Sequence, residues 1–141
     1  MADPFVFFTA LVRVETRLWN VIDARLRAEH DLPVGSLQFL RLMSGPGPCR
    51  VQDISCALDL TVGATSKAVD RLEARGFCER QANPDDRRSS LLVLTTAGRE
   101  KLAAATPTFD AAMTRLLAAL PADAVAGLER GLEVLERELD G

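Results

Sequence analysis

Two stretches near the middle of the chain hold the residue types best suited to chemistry on an anionic surface. The first is Thr61-Val62-Gly63-Ala64-Thr65-Ser66-Lys67-Ala68-Val69-Asp70-Arg71, which starts with little side-chain bulk and then offers hydroxyls from Thr65 and Ser66 and a cation at Lys67. Wound as a helix, it could enter a DNA major groove about 12 Å wide and bring its N-terminal residues to base edges. Gly63 and Ala64 permit close approach, and Arg71, one turn on, suits a phosphate contact. The helix N-terminus adds orphan backbone N–H groups of its own. The same residues also describe an ordinary capped surface helix. The second stretch, Asn83-Pro84-Asp85-Asp86-Arg87-Arg88, sets two arginines just after two aspartates at a turn-rich tip. Arginine is favoured in a narrow minor groove, where negative potential is focused, and a neighbouring carboxylate can hold its guanidinium fork by paired hydrogen bonds. The bland alternative is a neutralised, solvated turn.

Elsewhere the reactive residues are sparse. Of the three cysteines, Cys56 and Cys78 read as small buried apolar residues, while Cys49, beside Arg50 and after a flexible loop, has the features that could lower a thiol pKa. Cys49 is therefore the candidate for an oxidation switch. A zinc site would need four converging ligands, yet no Cys-x-x-Cys or His-x-x-x-His pair is present, so no metal is expected. A single histidine, no glycine-rich phosphate loop and no nucleophile motif argue against an enzyme and against a cofactor.

These stretches need elements to position them. Residues 5–28 read as a long amphipathic helix, because Phe8, Leu11, Val12, Glu15, Leu18, Trp19, Ile22 and Leu26 recur at three- and four-residue spacing. Pro33 stops it, a short helix follows over 34–43, and Gly45-Pro46-Gly47-Pro48 forces a loop. Residues 52–59 and 62–75 give two short helical patterns meeting at Leu60-Thr61, with Thr61 as N-cap, Gly76 as the left-handed residue after the second, and small Ala57 at the crossing. That is a helix-turn-helix pattern. The period then changes to strand-like over 77–82 and 90–95, a β-hairpin whose tip is the Asp-Arg turn. Thr96 is placed to cap a further helix that Pro107 should kink or break. A last helix over 121–139 spaces Val125, Leu128, Leu132, Leu135 and Leu139 three, four, three and four apart. Such a seam seeks a partner helix, and dimerisation through the terminal helices is the economical reading; an intrachain bundle is the alternative.

At 141 residues the chain is the size of one domain. The odd cysteine count and the lack of a signal-like start predict a cytoplasmic protein with reduced thiols, and Arg13, Glu15 and Arg17 interrupt the most apolar segment, which predicts no membrane span. The net charge of −3 divides unevenly, as −1 over residues 1–60, +2 over 61–99 and −4 over 100–141. A local basic surface is all that binding to nucleic acid requires, with acidity elsewhere keeping the protein soluble.

Leu60-Thr61 to Arg71-Leu72, then Arg75-Gly76, Asn83-Pro84-x-Asp86-Arg87-Arg88 and Leu92-x-Leu94-Thr95-x-x-Gly98 resemble the MarR-family pattern in order and spacing. The resemblance implies a mainly α fold with a small β-hairpin wing: one domain over 1–141, with a winged helix-turn-helix lobe at 49–98 and dimerisation helices at 1–30 and 100–141. It further implies a bacterial transcription regulator, a triangular homodimer on a pseudo-palindromic double-stranded DNA operator. Residues 61–72 would be the recognition helix, Arg88 the minor-groove arginine, Arg87 its flank and Asp86 its orienting carboxylate. Such proteins usually repress genes and are released by a small, often aromatic or phenolic, effector; Trp19, His30, Phe39 and Met43 are the candidate lining of its pocket. Departures matter: Ser36-Leu37 stands where many relatives carry a polar or aromatic pair, and Tyr is absent, so effector chemistry does not carry over. A redox-sensing regulator and an interaction module that kept the fold without DNA binding are the competing readings.

Overall fold

The computed structural model describes residues 3–141, in six helices and one hairpin. The described chain divides into two compact units, the first ending at Thr108 and the second covering Phe109–Gly141.

In the first unit, α1 (Pro4–His30) begins at Asp3, whose carboxylate accepts from the Phe5 N–H at 2.8 Å, with Pro4 at the first helical position. It ends at Asp31 in the left-handed region, φ 49°. The carboxylate of Asp23 on α1 accepts from the Val34 N–H at 2.9 Å, capping α2 (Val34–Met43), which has no side-chain cap of its own. Ile22 and Leu26 of α1 are buried along with Leu37, Leu40 and Met43 of α2. Toward its N-terminus α1 leaves its apolar residues in the open: Phe5, Val6, Phe7, Phe8, Leu11 and Val12 are all exposed.

The next pair is α3 (Val51–Leu58) and α4 (Val62–Ala74). Asp53 reaches back to the Arg50 N–H at 2.8 Å at the start of α3. Ile54 and Ser55 are its buried residues, and the Ser55 hydroxyl donates to the Leu60 carbonyl at 2.6 Å, closing the turn between the helices. Ala57 is exposed, so the expected crossing through Ala57 is corrected: Ile54 and Ser55 occupy it. Thr61 caps α4 as expected, accepting from the Ala64 N–H at 3.1 Å, and Gly76 takes φ 78° just beyond it.

Strands β1 (Cys78–Ala82) and β2 (Ser90–Leu94) pair antiparallel, with Cys78 opposite Leu94 and Arg80 opposite Leu92. The Leu92 N–H donates to the Cys49 carbonyl at 2.7 Å and ties the hairpin to the chain ahead of α3. Thr95, not Thr96, caps α5 (Thr96–Leu117): its hydroxyl accepts from the Gly98 N–H at 3.0 Å while donating to the Gly76 carbonyl. Gly98 is there because nothing larger fits; a Cβ on it would lie 1.9 Å from the Phe77 carbonyl oxygen. Arg75 joins the helix-turn-helix to the end of α1, donating to the Asp31 carbonyl at 2.7 Å with its guanidinium over the Phe77 ring.

Helix α5 runs through Pro107 without the break that was one of the two expected outcomes; proline already has a helical φ and costs the helix one N–H bond. In the second unit, α6 (Ala122–Asp140) has no buried residue, and Leu128, Leu132, Leu135 and Leu139 are exposed. No single helix among the described residues is long and apolar enough to cross a membrane.

Candidate nucleic-acid interface

Helix α4 sorts its residues by angle. Thr65, Val69 and Leu72, at i, i+4 and i+7, face inward, and Thr65 is fully buried with its hydroxyl donating to the Thr61 carbonyl at 2.8 Å. Thr65 is therefore corrected from a base-contact candidate to a core residue. Thr61, Gly63, Ala64, Lys67 and Arg71 are exposed and Ser66 is partly so. Nothing lies within 4 Å of where a Gly63 Cβ would sit, so no packing demand explains its lack of a side chain.

The hairpin tip is tied down by short hydrogen bonds while its arginines stay free. The Asn83 side chain accepts from the Asp85 N–H at 3.0 Å and donates to the Ser89 hydroxyl at 3.1 Å. Asp86 accepts from the Arg88 N–H at 2.9 Å. It thus holds the backbone of Arg88, where the sequence suggested a grip on the guanidinium. Arg87 and Arg88 are exposed, and among the described residues neither they nor Lys67 form an ion pair. With Arg71, also exposed and in no ion pair among the described residues, four cations are left for an external anion, two of them on a pre-shaped turn.

Sequence reasoning missed Arg80. From β1 its guanidinium meets Asp70 at 2.8 Å and Glu73 at 3.3 Å, and its Nη2 also donates to the Ser66 carbonyl and hydroxyl, both at 3.3 Å. The signal was strand alternation: Arg80 stands two residues from buried Cys78, on the face turned toward α4 and its acids.

A cavity of about 570 Å³ opens beside this lobe, lined among others by Trp19, Arg27, Phe39, Leu58, Ala68 and Arg71. Two of the four expected lining residues, Trp19 and Phe39, belong to it. The other two are corrected: Met43 is buried in the core, and His30 Nε2 is 2.7 Å from the Thr108 hydroxyl, which donates to Glu29. The cysteines also depart from expectation. Cys49 is buried, and burial, with the nearby Asp53 carboxylate, pushes its thiol up, while the guanidinium of Arg50 is spent on Asp53. Cys49 therefore lacks the lowered pKa that the redox reading needs. Burial pushes Cys78 up to about 11, and Cys56, expected inside, is exposed. Among the described residues no group of three or more His, Cys, Asp or Glu is placed to hold a metal.

The family model of the MarR family matches residues 33–90, which run from α2 to the start of β2. The chain is 38% identical over 61 residues to YwhA, an uncharacterized HTH-type transcriptional regulator of Bacillus subtilis (strain 168). Its fold matches that of AbsC, a MarR family transcriptional regulator from Streptomyces coelicolor, with a TM-score of 0.90 over 100% of this chain and 97% of AbsC at 21% identity. Residues 33–90 thus carry a MarR-family match, and the fold is that of MarR-family regulators. The match to YwhA spans 43% of this chain and 44% of YwhA's length. A further MarR-like neighbour is the transcriptional repressor CouR bound to a 23-mer DNA duplex, 28% identical, with a TM-score of 0.83 over 90% of this chain and 89% of CouR. CouR from Rhodococcus jostii RHA1 has also been solved bound to p-coumaroyl-CoA, at 26% identity and a TM-score of 0.80 over 95% of this chain and 92% of CouR. In this chain the region that matches these neighbours' winged helix-turn-helix holds Lys67, Arg71, Arg87 and Arg88, all exposed and in no ion pair among the described residues.

Proposed function

We propose that this chain is a MarR-type regulator, a homodimer that binds a pseudo-palindromic operator in the cytoplasm, represses from it, and is released by a small ligand with an aromatic part. The observation that carries the reading is the pair of unpaired arginines, Arg87 and Arg88, on a hairpin tip fixed by Asn83 and Asp86, beside a helix whose exposed start is Thr61, Gly63, Ala64 and Lys67. In this reading α4 enters the major groove and Arg88 the minor groove, with Arg87 flanking it. The exposed leucines of α6 and the exposed phenylalanines of α1 supply apolar surface for a second copy. The cavity at Trp19 and Phe39 is of a size for a small organic molecule and shares Ala64 and Arg71 with α4, so its occupant would bear on the DNA-binding helix. That CouR has been solved with DNA and with p-coumaroyl-CoA supports both halves of the reading.

The test is binding of the purified chain to DNA from upstream of its own gene, titrated across salt, for wild type and Arg88→Ala, with and without a panel of aromatic acids and their thioesters. The expected result is tight dimeric binding that a panel member releases. Arg88→Ala should weaken it about tenfold or more and reduce its salt slope by about one. Absence of specific binding at every salt concentration would overturn the reading.

A further inference from the structure

Ser66 sits on the exposed side of α4 with its hydroxyl in a defined electronic state. An Arg80 guanidinium can only donate, so its contact with the Ser66 hydroxyl at 3.3 Å commits one oxygen lone pair of Ser66 as an acceptor. Nη2 has two hydrogens. Its hydrogen bonds go to the Ser66 carbonyl and hydroxyl, and Asp70 stands 2.8 Å away as the ion-pair partner. Thr65 next to it spends its hydroxyl hydrogen on a backbone carbonyl, whereas among the described residues no acceptor takes that of Ser66. The Ser66 hydrogen is left without an acceptor among the described residues, on a half-buried residue.

We infer that Arg80 is a positioning residue that biases the Ser66 hydroxyl toward donating, through which α4 favours a base with an acceptor in the major groove over cytosine at one operator position. The inference rests on the DNA-binding reading above and deepens it. Guanine N7 and O6, adenine N7 and thymine O4 all accept, while cytosine presents its N4 amino donor. A serine free to rotate could adapt to either; one whose lone pair faces a guanidinium is biased toward donating. Asp70 and Glu73 hold the guanidinium in place, and its side chain is only 24% exposed, so the arrangement is sheltered from water.

The experiment measures relative affinities for an operator library randomised at each position, for wild type, Ser66→Ala, Arg80→Met, Arg80→Lys and the double variant Ser66→Ala/Arg80→Lys. Arg80→Lys keeps a cation for Asp70 and Glu73, and so the tie between β1 and α4, but lacks the fork that also serves Ser66. Ser66→Ala and Arg80→Lys should each reduce discrimination against cytosine at the same position by roughly three- to tenfold, the size of one neutral hydrogen bond. The double variant should lose no more than Ser66→Ala alone, and salt slopes should stay at the wild-type value. Loss of affinity spread evenly over all sequences in Arg80→Lys and Arg80→Met would make Arg80 a fold residue only and overturn the inference. A wild-type preference that survives Ser66→Ala would overturn it alone, whereas a wild-type chain without any sequence preference would overturn it together with the function on which it rests.

Discussion

The stretch from Val51 to Leu94 and the helix α6 both carry regularly spaced apolar residues, but they dispose of them in opposite ways. In the first, Ile54, Val69, Leu72, Phe77, Leu92 and Leu94 are all buried, and ion pairs such as Arg50–Asp53 and Arg80–Asp70 bind helix to loop and strand to helix. In α6 no residue is buried, and among the described residues no ion pair involves it. The lobe is complete within one chain; α6 holds its seam in reserve. Burying a leucine is worth about 1.5–3 kcal/mol, so three or four exposed ones on one face form a strong drive to associate. A monomer with that face in water would carry the kind of patch that marks an interface.

The sharpest break in this comparison comes from Leu132→Asp. If the proposed dimer forms through α6, a carboxylate in the middle of its seam should leave the chain monomeric in sedimentation equilibrium and lower operator affinity by about 10²–10⁴, the avidity lost when two linked half-site contacts become one. Circular dichroism of the lobe should stay as in wild type. A variant that stayed dimeric would show that α6 is not the interface.

Two glycines probe the same contrast with opposite signs. In Gly98→Ala the new Cβ would meet the Phe77 carbonyl oxygen at 1.9 Å and its carbon at 2.8 Å, both backbone atoms that cannot rotate away. Either the start of α5 or the start of the hairpin must shift, and urea unfolding should show a loss of about 3 kcal/mol. At Gly131 on α6 nothing lies within 4 Å of the Cβ position. Gly131→Ala should raise stability by about 0.8–1 kcal/mol, because alanine is the better helix former. A loss there instead would place a second chain's backbone close against Gly131 in the dimer.

Which features were legible follows from the same division. Apolar period and punctuation predicted α2, both helices of the helix-turn-helix and the hairpin within a residue or two, because each is a local pattern with a stop signal such as Pro33 or Gly76. Gly98 was noticed only as part of a motif; its reason, contact with Phe77 across the hairpin base, is a tertiary fact. Thr65 was misread by residue type, although its spacing four before Val69 already placed it on the inward face. Cys49 was misread because the next residue in sequence, Arg50, is bound in space to Asp53. The cavity was half legible: Trp19 and Phe39 reach it, while His30 is taken up by Thr108, 78 residues away in the chain. Arg80 shows the limit most clearly, since its three partners lie on a preceding helix and only the register of β1 brings them together.

The smallest expected effect tests whether the polar ties of the lobe act through charge. Asp53 accepts from the Arg50 guanidinium at 3.0 and 3.1 Å and from the Arg50 N–H at 2.8 Å, and these bonds, the side-chain ones foremost, lower its carboxyl from the ordinary value of 3.8. The unfolded chain therefore takes up this proton at a higher pH than the folded chain does. The stability it contributes is fully present above about pH 4 and is lost as pH falls through the lower folded value. Because both side chains are 41% exposed, solvent screening keeps the gain small, on the order of 0.5 kcal/mol. Unfolding free energies of wild type and Asp53→Asn from urea titration should differ by that amount at pH 6 and converge as pH approaches 3. A gap that persists unchanged into acid would mean that Asp53 serves α3 by shape alone, and the contrast between a charge-tied lobe and an untied α6 would then rest on burial.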